Sequence, residues 1–117
     1  MTPFGAKLRR LRAERGIQLK AMAAWLGVSA AYLSALEHGH RGRPSSGLVQ
    51  QISAYFNLAW DDVDELRRLA ELSHPRIVVD TAGLDPLATE LANRLSESID
   101  RLDRVTLERL LALLGER

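Results

Sequence analysis

Apolar side chains recur every three or four positions through the first sixty residues, in short runs punctuated by Gly, Pro and Ser. Phe4, Leu8 and Leu11 share this spacing. Thr2 ahead of them is a capping residue and Pro3 suits the first helical position, so a helix is predicted to open the chain. The stretch GIQLKAMAAWLGVSAAYLSALEHG, Gly16 to Gly39, predicts two more. Gln18 starts the first, with Leu19, Met22, Ala23 and Leu26 pointing inward. Gly27 then supplies the positive φ of a sharp turn. Ser29 is a good cap for the second, which carries Leu33 and Leu36 inward and ends at Gly39. Ala23 is small enough to let the second helix pack close across the first. After Pro44, Ser45 or Ser46 begins a fourth helix, with a broad apolar face of Leu48, Val49, Ile52, Tyr55 and Phe56. Asp61 is expected to cap a fifth, with Asp62 and Asp64 favouring its positive end, running through Leu66 and Leu69 towards Leu72.

The remainder is a different kind of segment. All six aromatics (Phe4, Trp25, Tyr32, Tyr55, Phe56, Trp60) precede residue 61, which places the conventional core there. Phe4, Tyr55, Phe56 and Trp60 are expected to pack inside, and Trp25 to be half-exposed. His74-Pro75 stops the fifth helix, because the residue before proline is pushed out of helical geometry. Residues 76–81, RIVVDT, are β-branched and short enough for a strand, closed by Ala82-Gly83. No partner strand exists elsewhere in the chain, so this segment either pairs with a second copy or is a loop. Asp85-Pro86 is another cap with proline after it. Leu84, Leu87, Leu91, Leu95, Ile99 and Leu102 then follow at three- or four-residue steps. A last helix from about Asp103 carries Val105, Leu107, Leu110, Leu111, Leu113 and Leu114. So many leucines exceed what one small core can hide, and about 44 residues rarely fold alone. The chain therefore divides into 1–73 and 74–117, the second part being a dimerisation region. Ile77, Val78, Val79, Leu84, Leu87, Leu91, Leu95, Ile99 and Leu102 are its expected contact residues.

Two short helices around a glycine turn form a helix-turn-helix, whose second helix can protrude into the DNA major groove. The arrangement resembles the XRE family of phage-repressor and Cro-like DNA-binding proteins, over roughly the first 60 residues and without a gap. FGAKLRRLRAERG looks like that family's first helix, and GRPSSGLVQQISAYFNL like its fourth and the approach to the fifth. Gly16, Ala23, Gly27, Val28, Ser29, Leu33, Ser34, Glu37, Gly39 and Pro44 match its spacing. The fold class expected is mainly α: a five-helix repressor-like domain followed by a C-terminal strand-and-helices dimerisation region.

The resemblance implies that the start of the recognition helix, and the positions one turn later, reach base edges. Here these are Ala30, Ala31, Ser34 and Ala35, where the family often carries Gln, Asn, Ser or Arg. Alanine neither donates nor accepts, although its methyl can pack on a thymine methyl. Ser34 and Tyr32 are the polar candidates. Leu19 stands where the family often has a phosphate-contacting Gln. Binding then leans on Lys20, on Ser29 and the helix N-termini, and on the loop residues His40, Arg41 and Arg43. The family also pairs a first-helix Arg with the Glu ending the recognition helix. Arg12 and Glu37 match those positions and are expected to support that helix.

Charge sharpens this picture. The net charge of +1 hides an asymmetry: residues 1–44 hold two Lys and six Arg against two Glu, a balance of +6, while the rest balances to −5. A basic half including Arg9 and Arg10 suits a surface that faces phosphates. The absence of cysteine excludes a disulfide framework and thiolate chemistry and fits a reducing cytoplasm. No apolar run reads as a signal peptide or a membrane span. No Gly-rich phosphate loop or metal-ligand spacing is found, so neither an enzyme nor a cofactor or metal is expected. His38 and His40 lack further ligands, and Asp61, Asp62 and Asp64 are explained by a helix start. The expected activity is that of a sequence-selective regulator of transcription, a repressor binding double-stranded DNA as a homodimer. The alternative is an antitoxin-like module that uses the same scaffold to bind a protein.

Overall fold

The computed structural model describes residues 1–40 and 42–115. Two compact units divide the chain, Met1–Ile77 and Val78–Arg117. The first holds α1 (Pro3–Arg15), α2 (Leu19–Leu26), α3 (Ala30–His38), α4 (Ser46–Phe56) and α5 (Trp60–Glu71). The second holds α6 (Pro86–Ser98), a 3-10 turn at Ile99–Arg101, and α7 (Arg104–Leu114). No single helix among the described residues is long and apolar enough to cross a membrane.

Local chemistry starts most of these helices. Thr2 accepts from the Gly5 amide at 3.0 Å with Pro3 at the first helical position. Ser29, Ser45 and Asp85 accept from the amides of Tyr32, Leu48 and Leu87 in the same way. Each contact satisfies one of the amides that a helix start leaves without a partner. Asp103 caps α7, 2.8 Å from the Thr106 amide. Hydrogen bonds from Thr106, its side chain first and its amide second, hold the Asp103 carboxyl below the usual carboxylate range. Because the folded pKa is depressed, this cap stabilises at neutral pH and is lost as the pH falls through that lowered value.

The core of the first unit is one cluster built from every helix. Phe4, Leu8 and Leu11 of α1 meet Met22, Ala23 and Leu26 of α2, Leu33 and Leu36 of α3, Leu48, Val49, Ile52 and Phe56 of α4, and Leu66 and Ala70 of α5. Each large side chain so buried contributes about 1.5–3 kcal/mol. α1 lies against α3 and α5, α2 against α3, and α4 against α5. Lys7 reaches Glu65 at 3.3 Å between α1 and α5.

Two long-range contacts fix the start of α1. The Phe4 amide, which no residue of its own helix can accept, donates at 2.9 Å to the buried hydroxyl of Ser73, sixty-nine residues away. One residue on, Gly5 lies against the backbone of α3: a Cβ there would sit 1.9 Å from the Glu37 carbonyl oxygen.

Three expectations need correction. Residues 76–81 form no strand; they are irregular, and Ile77, Val78 and Val79 are exposed. Their β-branched side chains favour extended backbone, but a strand needs a ladder partner, and the described chain supplies none. Trp60 does not pack inside and is 88% exposed. It occupies the first position of α5, where the Cα–Cβ bond tilts towards the N-terminus and carries the ring past the end of the core. Asp61 does not cap α5 either; Ala59 holds the cap position without a side-chain bond, and Asp61 and Asp62 fall in the first turn.

The contact at Gly5 gives a direct test. Alanine is the better helix former by about 1 kcal/mol, yet Gly5→Ala should destabilise by about 3 kcal/mol, the upper end of overpacking costs. Urea unfolding measures it; a variant as stable as the parent would show that the two helices have room to part.

Candidate nucleic-acid interface

α2 and α3 are set by the turn between them. Gly27 has φ +74°, and the Val28 amide bonds back to the Ala23 carbonyl at 3.0 Å. A side chain at Gly27 would meet open space, so the requirement is conformational and not steric. Ser29 then restarts the helix, and the chain direction has changed by 112° between α2 and α3. This falls within the ~90–120° of a helix-turn-helix.

α3 has two sides of different character. Leu33, Leu36 and Glu37 are buried. Ala30 and Ala31 are exposed at its start, and Tyr32, Ser34 and Ala35 are half-buried. Lys20 near the start of α2, Ser29, His40 and Arg43 are exposed, as are Arg9 and Arg10 on α1. Arg41 lies outside the described residues. A shallow groove of about 470 Å³ separates the starts of α3 and α4, lined by Val28, Tyr32, Ser45, Gly47, Leu48 and Gln51. Past the end of α3, the rings of His38 and His40 lie 6.4 Å apart and nearly parallel. The Nδ1 of His38 sits 2.8 Å from the Ser34 carbonyl oxygen.

The buried end of α3 is held by a fork of charge. Arg12 Nε donates to Glu37 Oε2 and Nη2 to Oε1, both at 2.9 Å, while Nη1 donates to the Ile17 carbonyl at 3.3 Å. The planar guanidinium matches the carboxylate in two parallel bonds, the geometry that gives such pairs their directionality. The Glu37 side chain is only 2% exposed and that of Arg12 15%. One arginine thus ties together α1, the turn before α2 and the last turn of α3.

Sequence reasoning overlooked two participants. Gly5, within a helix-forming pattern, offered a signal, since a glycine there is unfavourable unless another backbone approaches closely. Ser73 carried none, its partner being so distant along the chain. Trp25 is half-exposed as expected, at 58%, and lies at a tilt on Tyr55 with ring centroids 4.9 Å apart, while Tyr55 in turn meets Phe56 edge-on at 5.2 Å.

A family model described as a helix-turn-helix domain matches residues 3–69. The chain belongs to the helix-turn-helix family. The uncharacterized HTH-type transcriptional regulator RghRB of Bacillus subtilis (strain 168) is 32% identical over 63 residues, covering 54% of this chain and 45% of that protein. The HTH-type transcriptional repressor RghR of the same organism is 34% identical over 61 residues, covering 52% and 45%. The chain thus spans less than half the length of these relatives.

The fork at Glu37 sets the next expectation. Removing its partner strands a buried carboxylate, so Arg12→Ala should destabilise by about 3–5 kcal/mol. Replacing both residues by apolar ones of similar size, Arg12→Met with Glu37→Leu, should recover most of that loss. Thermal unfolding of the two variants distinguishes a stranded charge from lost packing, which the double variant would not repair.

Proposed function

We propose that this protein regulates transcription by binding double-stranded DNA, as a homodimeric repressor on an inverted-repeat operator. The observation that carries the reading is the two-sided α3. Its buried side is locked to α1 by Arg12 and Glu37, while Ala30 and Ala31 stand exposed, as do the basic residues Lys20 and Arg43. The net +6 of residues 1–44 favours a polyanion as the ligand of this unit. RghR, a relative over 61 residues, is named a transcriptional repressor, which supports the same sign of regulation here.

In this reading Lys20, Arg43, Arg41 and the N-termini of α2 and α4 hold phosphates, and Ala30, Ala31, Ser34 and Ala35 face the groove. Tyr32 joins Ser34 as a polar candidate for base contact, and Ser29 and His40 contact the backbone. Base preference is modest and leans on thymine methyls and on groove shape, because three of the four groove-facing side chains have no hydrogen-bonding group. Two copies with recognition helices about one helical turn apart place the half-sites in opposite orientation.

A second reading rests on the same alanines: a helix-turn-helix without polar base readout, binding a protein partner as an antitoxin does. Salt titration with duplex DNA separates the two. Neutralising about six or more phosphates should cost roughly 10³-fold in affinity between about 50 and 200 mM salt, whereas a protein-binding module would show no such salt-dependent affinity. Arg43→Ala should weaken all duplexes about equally. Ala31→Gln should change base preference and leave stability within about 0.5 kcal/mol, as expected of an exposed site; an unfolded variant would mean that residue 31 faces the core.

A further inference from the structure

The second unit has no core of its own. None of the described residues in α6, the 3-10 turn or α7 is buried. α6 and α7 scarcely pack against one another. Both carry an apolar stripe nonetheless: Leu87, Leu91 and Leu95 recur at four-residue intervals on α6, and Leu107, Leu111 and Leu114 share a face of α7. Nine large aliphatic side chains between residues 84 and 114 are 38–83% exposed. Helices this short, 13 and 11 residues, are marginal in water without packing. A unit of about 40 residues is commonly stabilised by disulfides, a metal or association. The chain has no cysteine, and the described residues assemble no group of metal-ligating side chains.

We propose that α6 and α7 fold only on a second copy of themselves, in a bundle whose core is made entirely between chains. This rests on the homodimer of the preceding reading and adds that, for this unit, association and folding are one event. Two features select a second copy as the occupant. Each helix pairs two of its own charges, Arg94 with Glu90 at 2.7 Å and Arg104 with Glu108 at 2.9 Å. Residues 78–117 hold five Arg against eight Asp and Glu, a balance of −3, which disfavours a nucleic acid as the occupant of this face. The available area also fits. The exposed stripes offer on the order of 600 Å² per copy, at roughly 60–120 Å² for each fully buried side chain, against about 800 Å² per partner in a standard interface. An isologous arrangement sets each stripe against its own equivalent.

The consequence is a division of stability. The unit containing α1 to α5 has its own core and stays folded when the dimer dissociates, while α6 and α7 unravel. Sedimentation and amide hydrogen exchange on the full chain test this, over a dilution series of the parent and on Leu91→Glu. The parent should be dimeric at micromolar concentration with α6 and α7 protected. On dilution to monomer, and in Leu91→Glu, those amides should exchange at least about 100-fold faster while the α1 to α5 core keeps its protection. A monomeric Leu91→Glu that retained protection in α6 and α7 would overturn coupled folding and leave the homodimer standing. A parent chain that is monomeric at micromolar concentration would overturn both.

Discussion

The buried ion pair between Arg12 and Glu37 is the constraint around which the helix-turn-helix unit is arranged. A carboxylate 2% exposed is tolerable only with its charge matched and its oxygens bonded, and the Arg12 fork does both. That requirement fixes how far α1 stands from the end of α3. The separation is so small that the backbone at Gly5 must carry no side chain, and Ser73 ties the same end of α1 to the residue that closes α5. The recognition helix is therefore gripped at its C-terminal turn and along its leucines, which leaves its first turn free to face outward.

What was legible in the sequence followed the range of the interaction involved. Thr2, Ser29, Ser45, Asp85 and Asp103 act on amides two or three residues ahead, so the helix starts could be read directly. The apolar spacing located the core because helix periodicity is local as well. Trp60 was misjudged because bulk and apolarity do not say which side of a helix start a residue occupies. Residues 76–81 take the loop alternative and not the strand, because β propensity is realised only where a ladder partner exists, and the described residues offer none. Gly5 and Ser73 act on partners 32 and 69 residues away, a separation that no window along the chain can span. In the candidate interface, the exposure of Ala30 and Ala31 follows from the spacing of Leu33 and Leu36 alone. The bidentate form of the Arg12 contact and its third bond to Ile17 required the packed helices.

The two units divide the work differently. The first satisfies its polar groups and buries or half-buries its aromatics and leucines, apart from the exposed Trp25, Trp60 and Leu72. The second holds its helices by caps and intrahelical ion pairs and leaves its leucines uncovered. Such a segment is suited to recognising its own copy, and pairing would supply the two-fold symmetry that an inverted repeat requires.

Selection of bound duplexes from a random DNA pool by the full chain tests the central claim most directly. It reports binding, half-site and spacing together. The account predicts enrichment of an inverted repeat whose half-sites lie about one helical turn apart, with weak base preference and thymines favoured opposite α3. A pool that emerges unenriched after selection at low salt, or a single isolated half-site, would contradict it.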